Sequence, residues 1–335
     1  MLHFSLERVL KLKEIRILPI CATPCSENEL YNWLCLDRQA YKITIDRENP
    51  QYILVCISHI VYHRELFRKF REFYSDDRVT IFLGEEAISP DMNLFDYALT
   101  YDDQIFMGDR ICRRPTVLWM RGGHSISQNN EVNDAEQEYE RRKFCNFVYS
   151  NSKAAPQRDD LFWTLNSYQR VDSLGKHLHN CDVEVTRGKS NWFELSIRQK
   201  ENYRFSIAAE NSFFSGYTSE KIISSLLAHS VPVYWGNPNI AKEFNPDAFI
   251  NCHDYKSMEE VLEVVKRVNE DKDLWCHMVR QPWRTQEQIT LQDEQIKTYG
   301  RFTNHIFEQD IKDAKRTYYG TSVWNYRQFW LTEHI

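Results

Sequence analysis

Six consecutive residues, Tyr52-Ile53-Leu54-Val55-Cys56-Ile57, carry no charged side chain. A strand that is apolar on both faces must be covered on both faces, which is the condition of a parallel sheet flanked by helices. The run has company. Residues 14–21, 79–83, 95–101 and 116–120 read as further strands. Helical segments lie between them. Ser26-Glu27-Asn28-Glu29 has the S-x-x-E form of a capping box ahead of Trp33 and Leu34, and residues 63–74 form an amphipathic basic stretch. Alternation of this kind predicts βαβ units and a parallel sheet.

The alternation stops at a polar run, residues 122–143, and then restarts. Strands are expected at 144–149, 205–209, 231–235 and 248–252, and helices at 158–168, 191–200, 219–229 and 258–268. The chain is therefore read as an N-terminal domain at 1–141, a second domain at 142–306 and an aromatic, basic tail at 307–335. A length of 335 residues agrees with two domains. The expected fold class is α/β: two Rossmann-like domains facing each other across a cleft that holds the active site.

Composition narrows the function. The net charge of −6 argues against nucleic acid as a partner. Only 10 glycines occur, and none falls into G-x-G-x-x-G or a P-loop, so any phosphate must be held without a glycine-rich cradle. Nine cysteines, an odd set without paired C-x-x-C units, read as reduced thiols of a cytoplasmic protein. No apolar leader and no 18-residue apolar stretch is present.

The chemistry concentrates in residues 203–254. A strand ends at Glu210-Asn211, and a helix opens at Thr218-Ser219-Glu220-Lys221, with Thr218 or Ser219 as N-cap. Free N–H groups and the macrodipole at such a helix start favour anions. Lys221 adds a point charge, and Glu220 can accept hydrogen bonds from sugar hydroxyls. An ordinary capped amphipathic helix with solvated Glu and Lys fits the local pattern as well.

These motifs have a family likeness. Glu210-Asn211-Ser212, Tyr217-Thr218-Ser219-Glu220-Lys221, Val231-Pro232-Val233-Tyr234-Trp235-Gly236 and Phe249-Ile250 followed by Asp254-Tyr255 closely resemble the signature of the α-1,3/4-fucosyltransferases, glycosyltransferase family 10, in its bacterial branch. Ala209 stands where the family usually has Phe, and Ser219 where it has Thr; neither change removes a charge. Lys143–Asn151 followed by Arg158, the turn Asp172-Ser173-Leu174-Gly175-Lys176, Phe82-Leu83-Gly84-Glu85 and Asn93–Ala98 extend the resemblance over roughly residues 79–290.

The resemblance implies a fold of GT-B type, a GDP-β-L-fucose donor and an inverting transfer to a GlcNAc-type hydroxyl of an N-acetyllactosamine-like or bacterial surface glycan. It implies Glu85 as general base, Arg158, Lys221 and Tyr217 at the donor diphosphate, and Asn211 and Glu220 at ribose or fucose hydroxyls, with Glu210 a further candidate in the cleft. No cofactor is expected, and a divalent metal would at most stimulate, because Arg and Lys can take its electrostatic place. The acceptor is an oligosaccharide, free or lipid-linked, and the enzyme is cytoplasmic or peripheral at the inner membrane. The alternatives are a same-fold transferase for another nucleotide sugar and a catalytically silent glycan-binding module.

Four further patterns carry more than one reading. Asp271-Lys272-Asp273 has the D-x-D form of a metal–diphosphate motif but follows a helix, which favours solvated surface. His177-x-His179-x-Cys181 would share one face of a strand but lacks a fourth ligand. The basic helix around Arg68, Lys69 and Arg71 and the tail either pack back on the body or meet a membrane surface.

Overall fold

The apolar run forms a central strand, β3 (Tyr52–Ile57), of a parallel sheet. We describe the fold from a computed structural model covering residues 12–57, 64–114, 132, 134–186 and 188–316. The chain divides into two compact units, residues 1–118 with 294–335, and residues 119–293.

The first unit carries β1 (Lys13–Ile20), α1 (Glu27–Leu34), β2 (Tyr41–Ile45), β3, α2 (Arg64–Phe73), β4 (Val79–Gly84), β5 (Tyr97–Thr100) and β6 (Ile111–Arg113). The sheet order is β2-β1-β3-β4-β5-β6, with parallel pairing throughout. Both faces of β3 are used. Leu54 and Cys56 pack with Leu30 and Leu34 of α1, while Ile53 and Val55 pack with Phe70 of α2. The expected capping box is formed: Ser26 Oγ accepts from Glu29 N–H, and the Glu29 carboxylate accepts from Ser26 N–H. The aromatic side of α2 lies in the core, where Phe70 stacks on Phe95 at 5.3 Å.

The second unit carries α3 (Ala135–Arg141), β7 (Lys143–Phe147), α4 (Pro156–Tyr168), β8 (Val171–Ser173), α5 (Trp192–Lys200), β9 (Tyr203–Ala209), α6 (Glu220–Leu227), β10 (Val231–Trp235), β11 (Ile250–Asn251), α7 (Met258–Glu270) and α8 (Lys272–Arg280). Its sheet order is β11-β10-β9-β7-β8, again parallel. One face packs Phe147, Ile207 and Val233 against Leu161 and Phe162 of α4 and Val265 of α7. The other packs Ala208 and Tyr234 against Ile222, Ile223 and Leu226 of α6. After β8 the chain passes so close to the Tyr149 backbone that a Cβ on Gly175 would lie 1.9 Å from the Tyr149 carbonyl oxygen.

Several expectations change. The second domain was read as running to residue 306, but α9 (Gln286–Glu308) brings Tyr299, Ile306 and Phe307 into the core of the first unit. Tyr299 Oη donates to the Trp33 carbonyl at 2.6 Å. The start of the tail follows, through α10 (Ile311–Ala314) and Lys315, which pairs with Asp96 at 3.1 Å. Residues 317–335, like the expected strand at 116–120, lie outside the described residues. Three short strands went unread: β2 is an edge strand, β6 has three residues, and β8 is polar because Asp172 pairs with Lys143 and Arg170.

The discounted motifs find local explanations. Asp271 is the N-cap of α8, accepting from Leu274 N–H at 3.0 Å. His177, His179 and Cys181 share no strand face: His177 meets Asp159, His179 the Gly175 carbonyl and Cys181 the Ser173 carbonyl. Among the described residues no cluster has the makings of a metal site, and no helix is long and apolar enough to cross a membrane. The D-x-D carboxylates are therefore separable by stability. Asp271→Ala should cost about 1 kcal/mol as a lost cap, and Asp273→Ala less than about 0.5 kcal/mol, in urea unfolding. Equal losses would remove the capping account.

Candidate active site

Sheet order alone singles out one place in the second unit. The chain leaves β7 toward one side, to β8, and returns on the other side to β9. Loops that part in this way leave a crevice outside the carboxyl ends of the strands. The loop after β7 leads into α4 with Arg158, and the loop after β9 begins with Glu210 and Asn211. The two loops are joined. Ala155 N–H donates to the Asn211 carbonyl at 2.8 Å, and Arg158 Nη1 donates to Asn211 Oδ1 at 3.3 Å.

Glu210 organises the crevice. It is fully buried, and its carboxylate accepts from Ser219 N–H at 2.8 Å, from Ser219 Oγ at 2.7 Å and from Lys221 Nζ at 2.8 Å. Lys221 Nζ also donates to Ser219 Oγ at 2.9 Å. Burial works against the charge of Lys221, but the Glu210 carboxylate outweighs it and holds the ammonium well above the ordinary lysine range. The network ties the end of β9 to the first turn of α6. It also consumes the N-cap: Ser219 turns its hydroxyl to Glu210 and makes no capping bond. First-turn N–H groups have no partner within a helix, so an uncapped start leaves them for a ligand.

The backbone is shaped around this carboxylate. Glu210 N–H donates to the Trp235 carbonyl, and at Gly236, with φ +148, a Cβ would lie 2.5 Å from Glu210 Cγ. No other residue fits there. The loop between β9 and α6 is braced by Asn237, which accepts from Gly216 N–H and donates to Thr218 Oγ1. His253, after β11, accepts from Gly236 N–H at 3.0 Å, and burial holds its pKa below the ordinary histidine value.

The sequence candidates of the second unit are thus brought together, with differences in exposure. Asn211, Glu220 and Lys221 are half-buried and open to a ligand, whereas Tyr217 is 4% exposed. Arg158 has no exposed surface. Its Nη2 donates to the Asn151 carbonyl at 2.7 Å, its guanidinium lies 4.7 Å over the Tyr149 ring, and its buried Nε makes no hydrogen bond. As the chain is folded, the guanidinium is taken up by Asn151, Asn211 and the Tyr149 ring. Glu210 was read as a cleft residue; it is instead the buried anchor beneath one.

Glu85 belongs to the first unit, immediately after β4 and half-buried. Beside it is a residue that the sequence reading missed. Arg114, 1% exposed, donates from Nη1 to the Gly84 carbonyl at 3.2 Å. Burial opposes its charge, but Tyr101, Tyr299 and Glu85 raise its pKa above the usual arginine value. The sequence motifs include Gly236 and Ser219 but not their roles, which are to make room for Glu210 and to bond it; neither a Gly after a strand nor a Ser at a helix start announces such a role.

Comparison with known proteins follows from this geometry. Residues 139–319 match the model described as glycosyltransferase family 10 (fucosyltransferase), C-terminal part. The chain is 30% identical over 275 residues to the alpha-(1,3)-fucosyltransferase FucT of Helicobacter pylori, covering 72% of this chain and 54% of that protein. It is 31% identical over 144 residues to the putative fucosyltransferase R654 of Acanthamoeba polyphaga mimivirus, covering 42% of this chain and 24% of that one. The chain thus spans about half the length of the first relative and about a quarter of the second. In fold it is similar to a crystal structure of an alpha1,3-fucosyltransferase with GDP-fucose, with TM-score 0.66 and 23% identity, covering 90% of this chain and 92% of that one.

Glu210→Gln isolates the buried pair. It should destabilise the protein by about 3 kcal/mol by leaving Lys221 without its counter-charge. The raised Lys221 pKa stabilises the parent fold at every pH below the unfolded value, whereas in the variant burial is left to oppose the ammonium, so the deficit should be largest near about pH 6 and shrink toward about pH 9. Urea unfolding across that range checks both. A loss under about 1 kcal/mol would show that the pair is not the anchor described.

Proposed function

The chain belongs to the fucosyltransferases of glycosyltransferase family 10, and on that footing we propose that it transfers L-fucose from GDP-β-L-fucose to a GlcNAc-type hydroxyl of an N-acetyllactosamine-like or bacterial surface glycan. The observation that carries the reading is the uncapped start of α6, fixed by Glu210 at the switch point between β7 and β9, with Lys221 in its first turn. A diphosphate suits such a place: N–H groups, a dipole end and an ammonium converge on one anion.

In this reading the acceptor oxygen attacks the anomeric carbon, the bond to the GDP oxygen breaks, and the β-linked donor gives an α-fucoside. Glu85 takes the proton of the acceptor hydroxyl. Lys221 and the first-turn N–H groups meet the negative charge that gathers on the departing diphosphate, and Arg158 adds its charge from beneath Asn211. Tyr217, just ahead of the helix, adds a hydroxyl donor to the diphosphate. Asn211 and Glu220, both half-buried, accept or donate to ribose or fucose hydroxyls. These fixed charges do the work that a divalent ion does in other transferases, so no metal enters the scheme. We place the reaction in the cytoplasm, with an oligosaccharide, free or lipid-linked, as acceptor.

An acceptor array incubated with GDP-fucose, and in parallel with other GDP- and UDP-hexoses, tests the assignment. Transfer from GDP-fucose with an α-linked product by NMR is expected. Transfer only from another nucleotide sugar would replace the donor, and binding of glycans without any turnover would make the chain a lectin-like module. Glu85→Gln should lower turnover by about 10²–10⁴-fold with the affinity for GDP unchanged. Equal turnover in that variant would remove Glu85 as the base.

A further inference from the structure

Behind the anion site lies a lysine that the reaction scheme does not use. Lys200, at the end of α5, is 5% exposed, and among the described residues its side chain has no carboxylate partner. It donates to Ser224 Oγ at 2.6 Å and to Ser225 Oγ at 3.3 Å, both on α6. Each of those hydroxyls in turn donates to the Lys221 carbonyl at 3.0 Å. Lys200 is thus wired through two serines to the backbone of the residue that meets the anion. The charged groups acting on it are Glu220, which favours its charge, and Lys221, which opposes it.

The charge balance gives this lysine a task. In the crevice Lys221 is neutralised by Glu210 at 2.8 Å, and Arg158 stands 3.6 Å from Asp159. A diphosphate arriving at α6 brings two to three negative charges into a place whose own cations are already paired. We infer that Lys200, buried and bonded through Ser224 and Ser225 to the Lys221 backbone, is a positioning residue for the donor: its neutral amine takes up a proton when an anion binds at the start of α6, and the resulting ammonium supplies the missing positive charge. The inference rests on the donor reading given above.

Burial pushes the Lys200 ammonium down to about 7, which makes its protonation sensitive to a new neighbouring charge near neutral pH. Of the two charged groups acting on it, Lys221 is itself moved upward, away from this range. The sign follows. An anion raises the pKa of Lys200, so binding consumes protons above pH 7 and weakens as pH rises, by at most about tenfold per pH unit.

Calorimetric titration with GDP at about pH 7.5, in two buffers of different ionisation enthalpy, counts the protons taken up. A fractional uptake and an affinity falling severalfold between about pH 7 and pH 9 are expected. Lys200→Met should bind GDP weakly with a flat pH profile, and Lys200→Arg tightly with a flat profile; a purely structural lysine would leave the slope in place. GDP binding by the parent protein without proton uptake overturns the inference and leaves the donor reading standing. No GDP binding at any pH overturns both. The proton count needs only the parent chain, so a variant that fails to fold does not blunt the test.

Discussion

A carboxylate with no solvent access, meeting a lysine at 2.8 Å, is the interaction on which the second unit turns. A buried ion pair is seldom retained for stability, because apolar residues of equal volume do as well. Here it has a geometric consequence. Glu210 ends β9 and Ser219 and Lys221 begin α6, so the pair fixes where the helix starts relative to the sheet. It also draws the Ser219 hydroxyl away from capping, which leaves the helix start open. Gly236 is the counterpart of this arrangement, since any side chain there would strike Glu210.

The position of the pair follows from sheet topology. Both sheets run their first strand next to the second on one side and the third on the other, β2-β1-β3 in the first unit and β8-β7-β9 in the second. Each therefore has one place where consecutive loops diverge. In the second unit that place is closed by Arg158 and Asn211, and the chain around it is held by hydroxyl and amide bonds together with single glycines at Gly216 and Gly236, both with positive φ. With 10 glycines among 335 residues and no glycine-rich loop, the chain uses them one at a time where the backbone requires them.

Much of this was legible in the sequence. The continuous apolar runs became β3, β4, β9 and β10, because strands buried on both faces advertise themselves by composition. Edge strands do not: Tyr41–Ile45 and Val171–Ser173 carry the polar residues that an edge tolerates. The return of α9 to the first unit was invisible, since Tyr299 and Phe307 give no sign of which core they will enter. The identity of Asn211, Glu220 and Lys221 as neighbours was legible from their spacing. The burial of Glu210 and Arg158 was not, because local sequence does not distinguish a charge that faces a ligand from one that holds the chain behind it.

The most direct measurement is a crystal structure of the protein with GDP. The account predicts the diphosphate against the first-turn N–H groups of α6 and Lys221, with Asn211 at its side and Glu210 still bonded to Ser219 and Lys221. A diphosphate bound away from α6, or a Lys221 side chain released from Glu210 to reach it, would contradict the claim that the buried pair builds the site in advance.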